Sequence, residues 1–255
     1  MKFIHLTDTH LVTPGETLKG LDPVARLEPA FADIVEHHAD AECCVITGDL
    51  ADIGEASAYA WLAERLARFE LPCHLLIGNH DSRAEFRAHF AGTAVDANGF
   101  VQSVVDTSVG KFVLLDTVEA GTHGGIYCAE RQAWLTQTLD SLADETVFLF
   151  MHHPPFDLHM PCLDRIGLAE QEALASIVDG RDNIRHLFFG HAHRPICGNW
   201  RGISFSTLRG TNHQVGLQFQ RDVIDYVDEP PEYAVVFVDP DRIVIHGHSY
   251  PGVPA

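Results

Sequence analysis

Five short polar clusters, spread over most of the 255 residues, limit what this chain can become: Asp8-Thr-His10, Gly48-Asp49, Gly78-Asn79-His80-Asp81, His152-His153 and Gly190-His191-Ala-His193. Each follows a short apolar run rich in β-branched or aromatic residues: Phe3–Leu6, Cys43–Ile46, His74–Ile77, Val147–Met151 and Leu187–Phe189. Such runs read as buried strands. Strands that end repeatedly in oxygen and imidazole donors place those donors together at one rim of a sheet.

The first half alternates these strands with helical periodicity at Leu27, Ala30, Phe31, Ile34 and Val35, and again at Tyr59, Leu62, Ala63 and Leu66. That order predicts parallel β-α-β units and an α/β fold. Phe100–Val105 and Lys111–Asp116 read as a hairpin, residues 135–142 and 168–179 as helices. Beyond Arg194 the chain turns strand-rich (196–200, 203–207, 233–238, 242–248), and a second sheet packed on the first is expected from that material. Residues 1–255 are read as one domain. The stretch 211–232 forms an excursion whose Leu217, Phe219, Val223, Ile224 and Tyr226 suit a lid or a homo-oligomer contact.

Thirty-six acidic residues against seventeen basic ones give a formal charge of −19, which disfavours nucleic-acid polymers and anionic membrane surfaces. No apolar run suffices to span a bilayer, and no signal peptide is recognisable. The six cysteines (Cys43, Cys44, Cys73, Cys128, Cys162 and Cys197) include no C-x-x-C pair, and a reducing cytoplasm is the expected compartment.

Asp8 and His10, like His191 and His193, stand two residues apart, so each pair can point to one side after a strand. Together with Asp49, Asn79 and His152 they make seven candidate metal ligands. Seven exceed the needs of one ion and suit two ions sharing a carboxylate. The mixed oxygen and nitrogen donors favour manganese, iron, zinc or cobalt over calcium or magnesium. Two divalent ions less two carboxylates and a hydroxide leave about one positive charge, which a phosphodiester monoanion neutralises. Only Arg194 lies beside a cluster, so a phosphomonoester dianion is the poorer match.

The ordered motifs Asp-x-His, Gly-Asp, Gly-Asn-His-Asp, His-His-Pro and Gly-His-x-His resemble the calcineurin-like metallophosphoesterases over roughly residues 1–213. Within them the resemblance is to the bacterial branch of class III cyclic-nucleotide phosphodiesterases and glycerophosphodiesterases. It rests on Thr7-Asp-Thr-His10, Met151-His-His-Pro-Pro155 and Gly210-Thr-Asn-His-Gln-Val215. It implies a four-layer α-β-β-α sandwich of two mixed sheets. One metal would lie on Asp8, His10 and His193, the other on Asn79, His152 and His191, with Asp49 bridging. A hydroxide between the ions would attack phosphorus while His80 assists the leaving oxygen, with Asp81 a candidate to orient it. His80, Asn79 and His213 would contact substrate. His153 is expected to support the site, and His5 and His74 to be satisfied within strands. Small diesters, cyclic nucleotides or glycerophosphodiesters, are the expected substrates. The alternatives are a phosphomonoesterase acting on phosphoproteins, and a non-catalytic scaffold with the same fold.

Overall fold

The structure, a computed structural model, describes residues 1–250. Its first sheet runs in the order β13-β12-β1-β2-β3, formed by β1 (Lys2–Leu6), β2 (Cys44–Thr47), β3 (Cys73–Leu76), β12 (Glu232–Val238) and β13 (Ile243–Ser249). The second runs β4-β5-β6-β7-β9-β8, from β4 (Ser103–Thr107), β5 (Gly110–Leu114), β6 (Val147–Met151), β7 (Ile184–Phe189), β8 (Ile196–Trp200) and β9 (Ile203–Thr207). β1, β2 and β3 are parallel, as are β5, β6, β7 and β9, and antiparallel strands complete both sheets.

Alternation along the strands sorts side chains into three apolar layers. Ile4, Leu6 and Ile46 face Leu27, Phe31 and Ile34 of α1 (Pro23–His38) and Tyr59 and Leu62 of α2 (Ala56–Leu66). Val113, Leu149 and Leu187 face Leu135 and Leu139 of α4 (Ala129–Ser141) and Leu174 and Val178 of α6 (Gln171–Val178). Between the sheets lie Phe3, Val45, Phe112, Phe150, Phe188 and Val236. Phe3 meets Phe112 edge-on at 5.0 Å, and Phe150 stacks on Phe188 at 4.8 Å. These buried rings hold the sheets in register, so the strand ends of both form one rim. The expected four-layer architecture is therefore present.

Two expectations need correction. The four strands expected beyond Arg194 do not build a second sheet of their own. β8 and β9 extend the second sheet beside β7, and β12 and β13 extend the first beside β1. Tyr233–Val236 are buried in succession, which suits the inside of a sheet between β1 and β13. In addition, α3 (Arg83–His89) follows β3 where no helix was expected. Its signal is Ser82-Arg-Ala-Glu85, since the Ser82 hydroxyl accepts from the Glu85 amide at 3.3 Å. The excursion after residue 211 contains a two-stranded arm, β10 (Gln214–Val215) with β11 (Tyr226–Val227).

His5 and His186 sit buried between the sheets, bonded to the Thr47 hydroxyl at 2.9 Å and the Ser206 hydroxyl at 2.9 Å. Burial pushes their pKa values down from 6.5 to about 3 and about 4. Above pH ~6.5 the rings are neutral folded or unfolded, and stability is at its full value. As pH falls from 6.5 toward 4 the unfolded chain takes up a proton that native His186 refuses, so stability falls. His186→Gln should flatten this decline by about 1.4 kcal/mol per pH unit. Urea melts at pH 7 and pH 5 check this, and equal losses in variant and parent would contradict it.

Candidate metal centre

The rim is built from loops whose backbone leaves the extended region as soon as each strand ends. Asp8, His10, Asp49, His191 and His193 all adopt positive φ, between 43° and 66°. For residues other than glycine this costs about 1–3 kcal/mol each and is typical of positions held for function. The two-residue spacing of Asp8 and His10 thus acts through a left-handed turn after Leu6, not through the strand pleat. The turn is zipped to its neighbour: Asp8 N donates to Gly48 O at 3.1 Å, and His10 N to Asp49 O at 2.8 Å. Gly78 is required by crowding, because a Cβ there would lie 2.2 Å from Asp49 Oδ1. A Cβ at Gly190 would lie 2.2 Å from the Thr7 hydroxyl.

All seven candidate ligands converge. Asp8, His10, Asp49 and His193 present donor atoms within 4.8 Å of one another. His193 Nε2 lies 3.4 Å from Asp8 Oδ1, and His10 Nε2 lies 3.4 Å from Asp49 Oδ2. The same Asp49 oxygen lies 3.3 Å from His152 Nε2. Asn79 Oδ1 stands 3.2 Å from His152 Nε2 and 2.9 Å from His191 Nδ1. Asp49 therefore stands between two donor groups, one on each side of its carboxylate.

The donor chemistry fits cations. His10 Nδ1 faces Asp52 Oδ1 at 3.0 Å, and His193 Nδ1 donates to the His213 carbonyl at 2.7 Å. With those protons committed, the two Nε2 atoms present bare lone pairs to each other only 3.1 Å apart. Burial holds His10 and His191 well below the ordinary imidazole range, so charging these rings is no remedy. His191 Nε2 is buried without a partner. Burial opposes charge on His152 too, but Asp49 outweighs it and raises His152 to about 9. The same imidazole neighbours overcome burial at Asp49 and hold it well below the usual carboxylate range. The cluster is thus a place that favours positive charge, and divalent ions would supply it with the directionality these nitrogens and oxygens need.

His80 stands beside the cluster, its ring 4.7 Å from that of His10. Its Nδ1 donates to the Asp52 carbonyl at 2.6 Å, and its amide to Asp49 Oδ1 at 2.9 Å. Asp81 does not orient it. The buried Asp81 carboxylate instead accepts from the amides of Leu50, Ala51 and Gly78 at 2.8–3.0 Å and from Tyr59 Oη at 2.7 Å. Asp52 takes the orienting role. It lies three residues after Asp49 in the same loop, a spacing that could have marked it.

His153 is buried and bonded to the Thr117 hydroxyl at 2.8 Å and the His123 carbonyl at 3.2 Å, beneath the His191 ring. His213 is buried with its ring stacked 4.6 Å from that of His193. A cleft of about 210 Å³ opens onto His10, Asp49, Asn79, His80, His191, His193 and His213. Its wall also includes Lys19, His123 and Arg165, which the sequence reading missed. His123 Nδ1 reaches Asn79 Nδ2 at 3.2 Å. Arg194 is turned away, donating to the Val215 carbonyl at 2.7 Å. The cleft thus holds cations that counting residues beside the motifs could not find, and the scarcity of arginine is no argument against monoesters.

Comparison with known proteins agrees with this geometry. The sequence model of the calcineurin-like phosphoesterase family matches residues 1–195, and the chain belongs to that family. It is 44% identical over 254 residues to a Rhodopseudomonas palustris protein named "probable cyclic nucleotide phosphodiesterase", covering 98% of this chain and 93% of that one. It is 25% identical to a "probable glycerophosphodiester phosphodiesterase" of Arcobacter nitrofigilis, covering 99% and 94% of the two chains. In three dimensions it resembles a dimetal phosphatase from Danio rerio, with a TM-score of 0.70, 18% identity and coverage of 97% and 96%. That likeness speaks to the fold.

The two aspartates flanking His80 separate cleanly by role. Asp81→Ala should lower unfolding stability by roughly 3 kcal/mol or more, because three buried amides lose their acceptor. Asp52→Ala should leave stability close to parental and reduce turnover about 10–100-fold by freeing the His10 ring, whereas His80 keeps its bond to the backbone carbonyl of residue 52. Urea melts and initial rates on both variants check this, and a stability loss at Asp52 matching that at Asp81 would contradict it.

Proposed function

We propose that the protein hydrolyses small phosphodiesters with the help of two cations. Asp8, His10 and His193 would hold one, Asn79, His152 and His191 the other, and Asp49 both. The observation that carries this reading is the Asp49 carboxylate oxygen 3.4 Å from His10 Nε2 and 3.3 Å from His152 Nε2. Bound there, manganese, iron, zinc or cobalt ions would supply Lewis acidity to a phosphoryl oxygen and an acidified water as nucleophile.

The chain's own groups do the rest. His80 has Nδ1 committed as donor to the Asp52 carbonyl, so Nε2 is the nitrogen left for a phosphoryl or leaving oxygen, donating to it when the ring carries both protons. Asn79 and His213 line the same cleft and fit the substrate side, and Lys19 and Arg165 add positive charge at its wall. The curated relatives' names support diesters, either cyclic nucleotides or glycerophosphodiesters, as the substrate class. The formal charge of −19 argues against nucleic-acid polymers and anionic membranes as partners. Among the described residues no helix is long and apolar enough to cross a membrane. All six cysteines are unpaired, which supports a cytoplasmic setting. Exposed Leu217, Phe219 and Val223 on the arm suit a lid or a contact with a second copy.

His80→Ala should retain both metal ions and lose about 10²–10⁴-fold in turnover. Asp49→Ala should lose metal as well as activity. Elemental analysis beside steady-state rates on cyclic AMP and glycerophosphoethanolamine separates the two variants. Full activity in His80→Ala, or parental metal content in Asp49→Ala, would contradict the assigned roles. Chelation of the parent should abolish hydrolysis, and added Mn²⁺ should restore it.

A further inference from the structure

The cleft has two chemically distinct walls. One carries the candidate ligands with His80 and Asp52, and phosphoryl chemistry uses it fully. The other carries Leu163, Ile166, Val215 and Ile224, none of which has work to do at phosphorus. These four pack with Met160 and Ala192 into one apolar cluster. Ala192, fully buried, sits between His191 and His193, so the cluster packs directly against the loop that carries two candidate ligands. Leu163 and Val215 are buried beneath the wall, whereas Ile166 and Ile224 are half-buried and face the cleft uncovered.

We propose that Ile166 and Ile224 form a specificity shelf that receives the flat base of a cyclic nucleotide while its phosphodiester lies at the metal centre. The proposal rests on the phosphodiesterase reading above and adds which residues select among diesters. A purine ring would cover apolar surface on the shelf, and the glycerol of a glycerophosphodiester would not, since its hydroxyls gain nothing there. The shelf is held in place before substrate arrives. Ile224 belongs to the arm, and the arm is tied to the body at two points. Arg165 Nε lies 3.1 Å from Asp222 Oδ1, and Lys19 Nζ lies 3.6 Å from the Tyr226 ring centre. Such anchoring reduces the ordering that binding would otherwise require.

The test uses the Mn²⁺-loaded full chain with Ile166→Ser, Ile224→Ser and the double variant, assayed on 3′,5′-cyclic AMP and on glycerophosphoethanolamine. The double variant should raise KM for cyclic AMP about tenfold with kcat within about twofold, as expected when buried methylenes are removed from a binding wall. Its kinetics on glycerophosphoethanolamine should equal the parent's, and Ile224→Leu should keep the parental KM for cyclic AMP. An unchanged KM for cyclic AMP overturns the shelf, as do parallel losses on both substrates. Parental protein inert on both diesters when metal-loaded overturns the phosphodiesterase reading, and the shelf with it.

Discussion

Bare imidazole nitrogens and carboxylate oxygens, forced together in a place from which water is largely excluded, are the constraint around which this molecule is organised. Left to themselves His10 and His193 would set two lone pairs against each other at 3.1 Å, and His191 Nε2 would stay buried without a partner. An arrangement so unfavourable without positive charge persists only because the rest of the fold imposes it. The aromatic layer of Phe3, Phe112, Phe150 and Phe188 fixes one sheet on the other. The Asp81 carboxylate then ties the loops after β2 and β3 together through amides of Leu50, Ala51 and Gly78.

The price of that geometry is visible in the backbone: five candidate ligands occupy the left-handed region. Parallel strands suit the task because their ends all reach the same rim, and short loops there need travel little distance. Glycine appears where the crowding is greatest. Gly78 lets Asp49 approach, and Gly190 lets the His191 loop pass over Thr7.

Much of this was legible in the sequence, because strand-then-ligand is a local pattern repeated five times. The β-α-β order and the seven candidate ligands follow from residues adjacent to apolar runs, and the two-sheet sandwich from the resemblance that the ordered motifs carry. What escaped notice depended on distance in the chain. Asp81 adjoins His80 but folds inward against Tyr59, while Asp52, twenty-eight residues upstream, reaches the ring. Lys19 and Arg165 lie outside every motif and come to the cleft through loops. The strands after Arg194 carry no sign of which sheet they will join, since pairing beside β7 or β1 is decided by burial across the whole sandwich. The helix at Arg83–His89 was within reach, marked by Ser82 as its N-cap.

The cleft joins a centre for phosphoryl chemistry to an apolar wall, and the acidic surface beyond it discourages polyanions, which together suit a small organic diester. The proposed chemistry depends on two cations sharing Asp49. Electron paramagnetic resonance of the protein titrated with Mn²⁺ tests that most directly. Two ions should be taken up per chain, with the broadened spectrum of an exchange-coupled pair. Uptake of a single ion with the six-line signal of isolated Mn²⁺ would contradict it.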